Sequence, residues 1–137
     1  MRIVYVDTGA WIALLRMRDR AHQKVAHHFR EIAKSSLLVT SEPAIAETAT
    51  RLRYDAGLSA ALAFHRCVED ALKLGRLRVR DTDAALRREA FAIMERYGDL
   101  ALSYADCIGA AVAREVRASV VLGLDNDFRL LGFTLEP

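Results

Sequence analysis

Acidic side chains occur at four separated places where their chemistry is conspicuous: Asp7, Glu47, Asp106 and the Asp125/Asp127 pair. Asp106 interrupts the otherwise apolar stretch Tyr104-Ala105-Asp106-Cys107-Ile108-Gly109-Ala110-Ala111, and Glu47 interrupts Ala44-Ile45-Ala46 and Thr48-Ala49 in the same way. A charge in such surroundings is costly unless it is paired, caps a helix or binds a metal. Carboxylates brought together raise one another's pKa values, and burial adds a desolvation cost. A divalent cation resolves that conflict. Oxygen donors without a Cys or His ligand set favour Mg²⁺ or Mn²⁺ over zinc. Such a site suits phosphodiester hydrolysis, because the metal polarises a phosphoryl oxygen, acidifies an attacking water and stabilises the leaving oxygen.

Each acid also has a purely structural explanation. Asp7 or Thr8 can cap a following helix. Glu47 and Arg51 have the spacing of an ordinary i,i+4 helix pair, worth about 0.2–0.5 kcal/mol. Ser103-x-x-Asp106 resembles a capping box. Asp125 and Asp127 can hold a turn. One site accounts for all of them together, whereas the structural reading needs each explanation to hold separately at the end of the right element.

The elements that must position these acids are legible as short apolar runs alternating with helical segments. Strands are expected at Arg2–Val6, Leu37–Thr40, Leu77–Arg80, Ser119–Leu124 and near Phe133–Leu135. Helices are expected over Ala10–Arg18, from an Asp19 cap to about Lys34, and from Ser41-Glu42-Pro43 to Ala56. Others run from Ser59 to near Gly75, from Thr82 or Asp83 to about Arg96, and from Ser103 to about Val116. The alternation predicts an α/β sandwich with a mainly parallel sheet of four or five strands. Open sheets of this kind place their sites beyond the carboxyl ends of the strands. Asp7 follows the first strand and Asp125 the fourth.

The whole chain bounds the reading further. Its 137 residues suit a single domain spanning 1–137. A hydrophobic fraction of 53% with only 7 Gly and 2 Pro excludes disordered and collagen-like chains. The 2 cysteines, Cys67 and Cys107, are too few for a disulfide framework and read as reduced thiols. No run approaches a membrane span, and Asp7 falls where a signal peptide would be apolar, so a cytoplasmic protein with no membrane partner is expected. The net charge is only +2. With the four site carboxylates set aside, the balance becomes 20 basic against 14 acidic residues, a surface a polyanion can approach.

Taken together the motifs resemble those of the PIN-domain nucleases. Val4-Tyr5-Val6-Asp7-Thr8-Gly9-Ala10-Trp11 resembles their first motif, Thr40-Ser41-Glu42-Pro43-Ala44-Ile45-Ala46-Glu47-Thr48 their second, Leu102-Ser103-Tyr104-Ala105-Asp106-Cys107 their third, and Leu124-Asp125-Asn126-Asp127-Phe128 their fourth. The compact form is similar to the VapC toxins of toxin–antitoxin pairs. The resemblance implies a PIN-like α/β/α sandwich and a Mg²⁺- or Mn²⁺-dependent endoribonuclease. Asp7, Glu47, Asp106 and Asp125 match its acidic positions, with Asp127 the alternative to Asp125. Thr8 matches a supporting hydroxyl. The resemblance also implies an RNA substrate, a homodimer and a cognate antitoxin that covers the site.

Other residues carry weaker signals. His22, His27, His28 and His65 lack an accompanying ligand set, and Trp11 reads as a packing residue. Arg16, Arg18, Arg20, Arg51, Arg53, Arg114 and Arg129 are candidates to hold RNA phosphates, with no ranking among them. Two rival readings remain open: a Mg²⁺-dependent phosphomonoesterase acting on small molecules, and a non-catalytic binding module on the same fold.

Overall fold

The computed structural model describes residues 1–137. Its strands are β1 (Arg2–Val6), β2 (Ser36–Ser41), β3 (Leu77–Arg80), β4 (Val120–Leu122) and β5 (Leu135–Glu136). Its helices are α1 (Thr8–Leu15), α2 (His22–Ala33), α3 (Glu42–Asp55), α4 (Leu58–Lys73), α5 (Ala84–Arg96), α6 (Tyr104–Glu115) and α7 (Asp127–Leu130). The sheet has five strands in the order β3-β2-β1-β4-β5, and every pairing is parallel.

Both faces of the sheet are covered, and β1 shows why. Its side chains alternate between two cores. Val4 and Val6 join Trp11 and Ile12 of α1, Val25 of α2, Leu52 of α3 and Phe64 of α4. Tyr5 points the other way, into the core made by Leu86 and Ile93 of α5, Ile108 and Val112 of α6 and Phe128 of α7. The architecture is therefore an α/β/α sandwich. No helix is long and apolar enough to cross a membrane.

Helix starts follow local chemistry. Ser41 accepts from the Ala44 amide at 3.3 Å to open α3, with Pro in its first turn. Asp83, rather than Thr82, caps α5 through the Leu86 amide at 2.8 Å. Two helices differ from the sequence reading. α1 begins at Thr8, not Ala10, because the Asp7 carbonyl accepts from the Ala10 and Trp11 amides directly after the strand. α2 begins at His22; Asp19 instead holds the preceding turn by accepting from the Ala21 amide at 2.9 Å. β4 is shorter than expected. β5 starts at Leu135, since Phe133 is drawn onto Phe128 by a backbone bond of 3.0 Å and ring packing at 6.1 Å.

The central strand β1 lies between β2 and β4, whose crossover helices cover opposite faces. The carboxyl ends of β1 and β4 thus flank the point where the sheet changes winding direction, the crevice in which open α/β sheets bind ligands.

Candidate functional site

At that crevice lies a cleft of about 380 Å³ lined by Asp7, Thr8, Gly9, Ile12, Asp19, Glu47, Arg51, Ser103, Asp106, Leu124 and Asp125. The fold therefore brings Asp7, Glu47, Asp106 and Asp125 to one place from the end of β1, α3, the first turn of α6 and the β4–α7 turn. A larger hollow of about 440 Å³ between α3, α4 and β3 is mostly apolar and holds none of these four acids.

Asp7 is the deepest of them, with a relative exposure of 6%. Its amide donates to the Leu122 carbonyl at 2.9 Å, which ties the end of β1 to the end of β4. It occupies the N-cap position of α1, yet its side chain makes no capping bond, so the structural explanation for this acid fails. Its pKa is pushed up to about 7. Burial is the main cause; the Thr8 amide pulls the other way, and the charges of Asp106, Asp125 and Glu47 add to the rise. That mutual repulsion is the electrostatic signature of convergence.

The other acids combine structural and free functions. Asp106 forms both arms of a capping box, accepting from the Ser103 amide at 3.0 Å while Ser103 Oγ accepts from the Asp106 amide at 3.0 Å. Asp106 Oδ2 makes that bond, leaving Oδ1 without a protein partner. Asp125 Oδ1 accepts from the Asp127 amide at 2.9 Å, leaving Oδ2 similarly free. Glu47 is half-buried, with Thr8 Oγ1 directed at its Oε2 from 3.5 Å. The expected Glu47–Arg51 ion pair does not form. None of the four carboxylates has a cationic partner among the ion pairs of the molecule.

Asp127 does not line the cleft. Its pKa is raised by desolvation and by the nearby charges of Asp125 and Asp106. One acidic cleft residue escaped the sequence reading: Asp19 looked like a helix cap. Arg51 was one of seven arginines offered as phosphate contacts, and the packing of the α1–α2 turn and α3 puts both at the cleft. Trp11 is buried, donates to Thr40 Oγ1 at 3.2 Å and packs on Phe29 and Phe64, so its ring is closed to bases. His22 lies 2.7 Å from the Ala13 carbonyl and His28 contacts Glu136, both away from the acids.

The donor set fits a hard divalent cation. It is all oxygen, no Cys or His lines the cleft, and the buried carboxylate has no counter-charge. The acids share the cleft without closing around a point: no three of the Asp, Glu, His and Cys side chains are drawn in closely enough to hold one ion together. Repulsion among like charges opposes a tighter arrangement.

Comparison with known proteins identifies the family of the fold. The family model described as PIN domain matches residues 4–133. The chain therefore belongs to the PIN domain family. Among solved structures it is similar to VapC20 of Mycobacterium tuberculosis, described as a sarcin–ricin loop cleaving toxin. That match has a TM-score of 0.84 and 27% identity over 96% of both chains. VapBC2 of Rickettsia felis, solved bound to a promoter DNA fragment, matches with a TM-score of 0.69 and 17% identity over 98% of this chain and 97% of that one. VapBC-1 of nontypeable Haemophilus influenzae matches with a TM-score of 0.67 and 16% identity over 98% and 96%. At these identities the last two speak to fold alone. No curated protein matches the sequence closely.

Proposed function

We propose that this protein is a Mg²⁺- or Mn²⁺-dependent endoribonuclease acting as the toxin of a toxin–antitoxin pair. The observation that carries the reading is the buried Asp7 at the switch point of the sheet, sharing one cleft with Glu47, Asp106 and Asp125 and lacking a counter-cation. Similarity along nearly the whole chain to a toxin described as cleaving the sarcin–ricin loop supports RNA as the substrate class.

In this mechanism Asp7, Asp106, Glu47 and Asp125 would hold the cation. When bound, it supplies charge neutralisation, polarisation of a phosphoryl oxygen and a lowered pKa for water. Asp7 is the rigid anchor, fixed by the β1–β4 backbone bond. Asp106 and Asp125 present their unpaired oxygens from a helix cap and a turn, so their orientation is set before substrate arrives. Glu47 is free of any cap or turn and orients the attacking water as an acceptor, with Thr8 Oγ1 steadying it. The proposal extends, through the family resemblance, to a homodimer and to a cognate antitoxin that covers the acidic cleft.

The test sets two substrates side by side in Mn²⁺: a total-RNA pool and p-nitrophenyl phosphate. The reading predicts discrete RNA fragments and no release of nitrophenol. Release of nitrophenol with intact RNA replaces it with the phosphomonoesterase reading.

A further inference from the structure

The cleft is lined by five carboxylates, counting Asp19, and by a single basic side chain, Arg51. A polyanionic strand approaching such a wall is repelled except where a cation meets it. The Arg51 side chain is exposed and makes no ion pair and no hydrogen bond within the protein, although Glu47 lies one helical turn before it. Other arginines are engaged or lie elsewhere. Arg80 is held by Glu115 and Asp83, Arg129 by Asn126 Oδ1 at 2.8 Å, and Arg114 sits over the Phe133 ring. Arg16, Arg18, Arg20 and Arg53 do not line the cleft.

We propose that Arg51 is a substrate-binding residue that grips a phosphate of the RNA strand next to the one over the carboxylates. Four residues along α3 amount to about 6 Å of helix rise, so Glu47 and Arg51 face successive stretches of a strand laid along that helix. A free guanidinium presents two parallel N–H donors to a phosphate, which suits it to a fixed register. This inference rests on the RNA reading of the cleft, but it concerns binding and not the chemistry.

Binding of a fluorescein-labelled, mixed-sequence single-stranded oligoribonucleotide is measured against salt in the non-cleaving Asp7→Asn background, with and without Arg51→Gln and Arg51→Lys. Arg51→Gln is expected to weaken binding about ten-fold at low salt. It also lowers the magnitude of the log K against log salt slope by about 0.7, the loss of one phosphate contact on a single strand. Arg51→Lys restores the slope and only part of the affinity. A merely structural role would shift thermal stability and leave the slope unchanged. If Arg51→Gln leaves affinity and slope unaltered, or if the oligoribonucleotide is not bound at all, the inference is overturned. If the effect is present while the wild-type protein cuts no RNA, the contact stands and the proposed activity fails.

Discussion

Gly123 stands so close to Asp7 that a methyl group added to it would lie 3.2 Å from the Asp7 Cβ and 3.6 Å from its Oδ2. The first residue after β4 is thus pressed against the buried acid at the end of β1. Gly123 is needed here for space. The Gly123→Ala variant should push Asp7 by a few tenths of an ångström. It should lower RNA cleavage about ten-fold through misplacement of the acid, with a stability loss of about 1–3 kcal/mol. Parallel kinetic and thermal-melting measurements check it; unchanged cleavage would mean that Asp7 need not be fixed so tightly.

Gly109 has a similar relation to Tyr5, two residues before Asp7 and on the same face of the sheet. An added Cβ would meet the Tyr5 hydroxyl at 2.7 Å and the ring at 3.1 Å. Tyr5 is fully buried and its hydroxyl is hydrogen-bonded to Ser41 Oγ at 2.9 Å, next to the start of α3. Gly109→Ala should cost about 1–3 kcal/mol by overpacking. Tyr5→Phe removes the closest clash, so the double variant should lose less than the sum of the singles. Denaturant melts of all four proteins complete the cycle; strict additivity would mean the two residues do not press on each other.

Asp125 lines the cleft and Asp127 does not. Asp127 serves Asp125 through its backbone amide, which Asn retains. Asp125→Asn should therefore reduce metal-supported cleavage by at least about 100-fold, and Asp127→Asn should change it little. The reverse order in kcat/KM would make Asp127 the ligand.

Asp7 also sets a pH dependence. Its folded pKa, about 7, lies above the ordinary 3.8, so the native state holds more protons than the unfolded chain between those values. Stability of metal-free protein should fall as pH rises through that window and level off above it. Asp7→Asn removes this slope. In EDTA at pH 8 the variant should be more stable than wild type by about 1–3 kcal/mol, with the gap closing towards pH 4. Thermal melts across pH read it directly. Mn²⁺ should narrow or reverse the gap at pH 8, because only the intact site gains from binding.

Much of this was legible because it is local. The runs that became β1 and β2 are short and largely apolar, β3 alternates apolar residues with Arg, and the Ser41, Asp83 and Ser103 caps lie within three residues of the amides they serve. The spaced acids Asp7, Glu47, Asp106 and Asp125 stood out because each breaks or ends an apolar run. The start of α1 at Thr8 was obscured because Asp7-Thr8-Gly9 has turn composition, while the deciding bonds come from the Asp7 carbonyl. Asp19 and Arg51 could not be assigned to the cleft from spacing, since their places depend on how the α1–α2 turn and α3 pack beyond the sheet. Asp106 shows that the structural and functional readings need not compete: one oxygen caps α6 and the other remains for the cleft.

The central claim is that the carboxylate cleft cuts RNA with a divalent cation. Its most direct test is cleavage of a total-RNA pool by the purified protein in Mn²⁺ and again in EDTA, beside Asp7→Asn, with Mn²⁺ binding followed by calorimetry. The account predicts fragments only for wild type in Mn²⁺, no cleavage in EDTA or by the variant, and weakened Mn²⁺ binding by Asp7→Asn. Cleavage that persists in EDTA, or that Asp7→Asn performs at the wild-type rate, would contradict it.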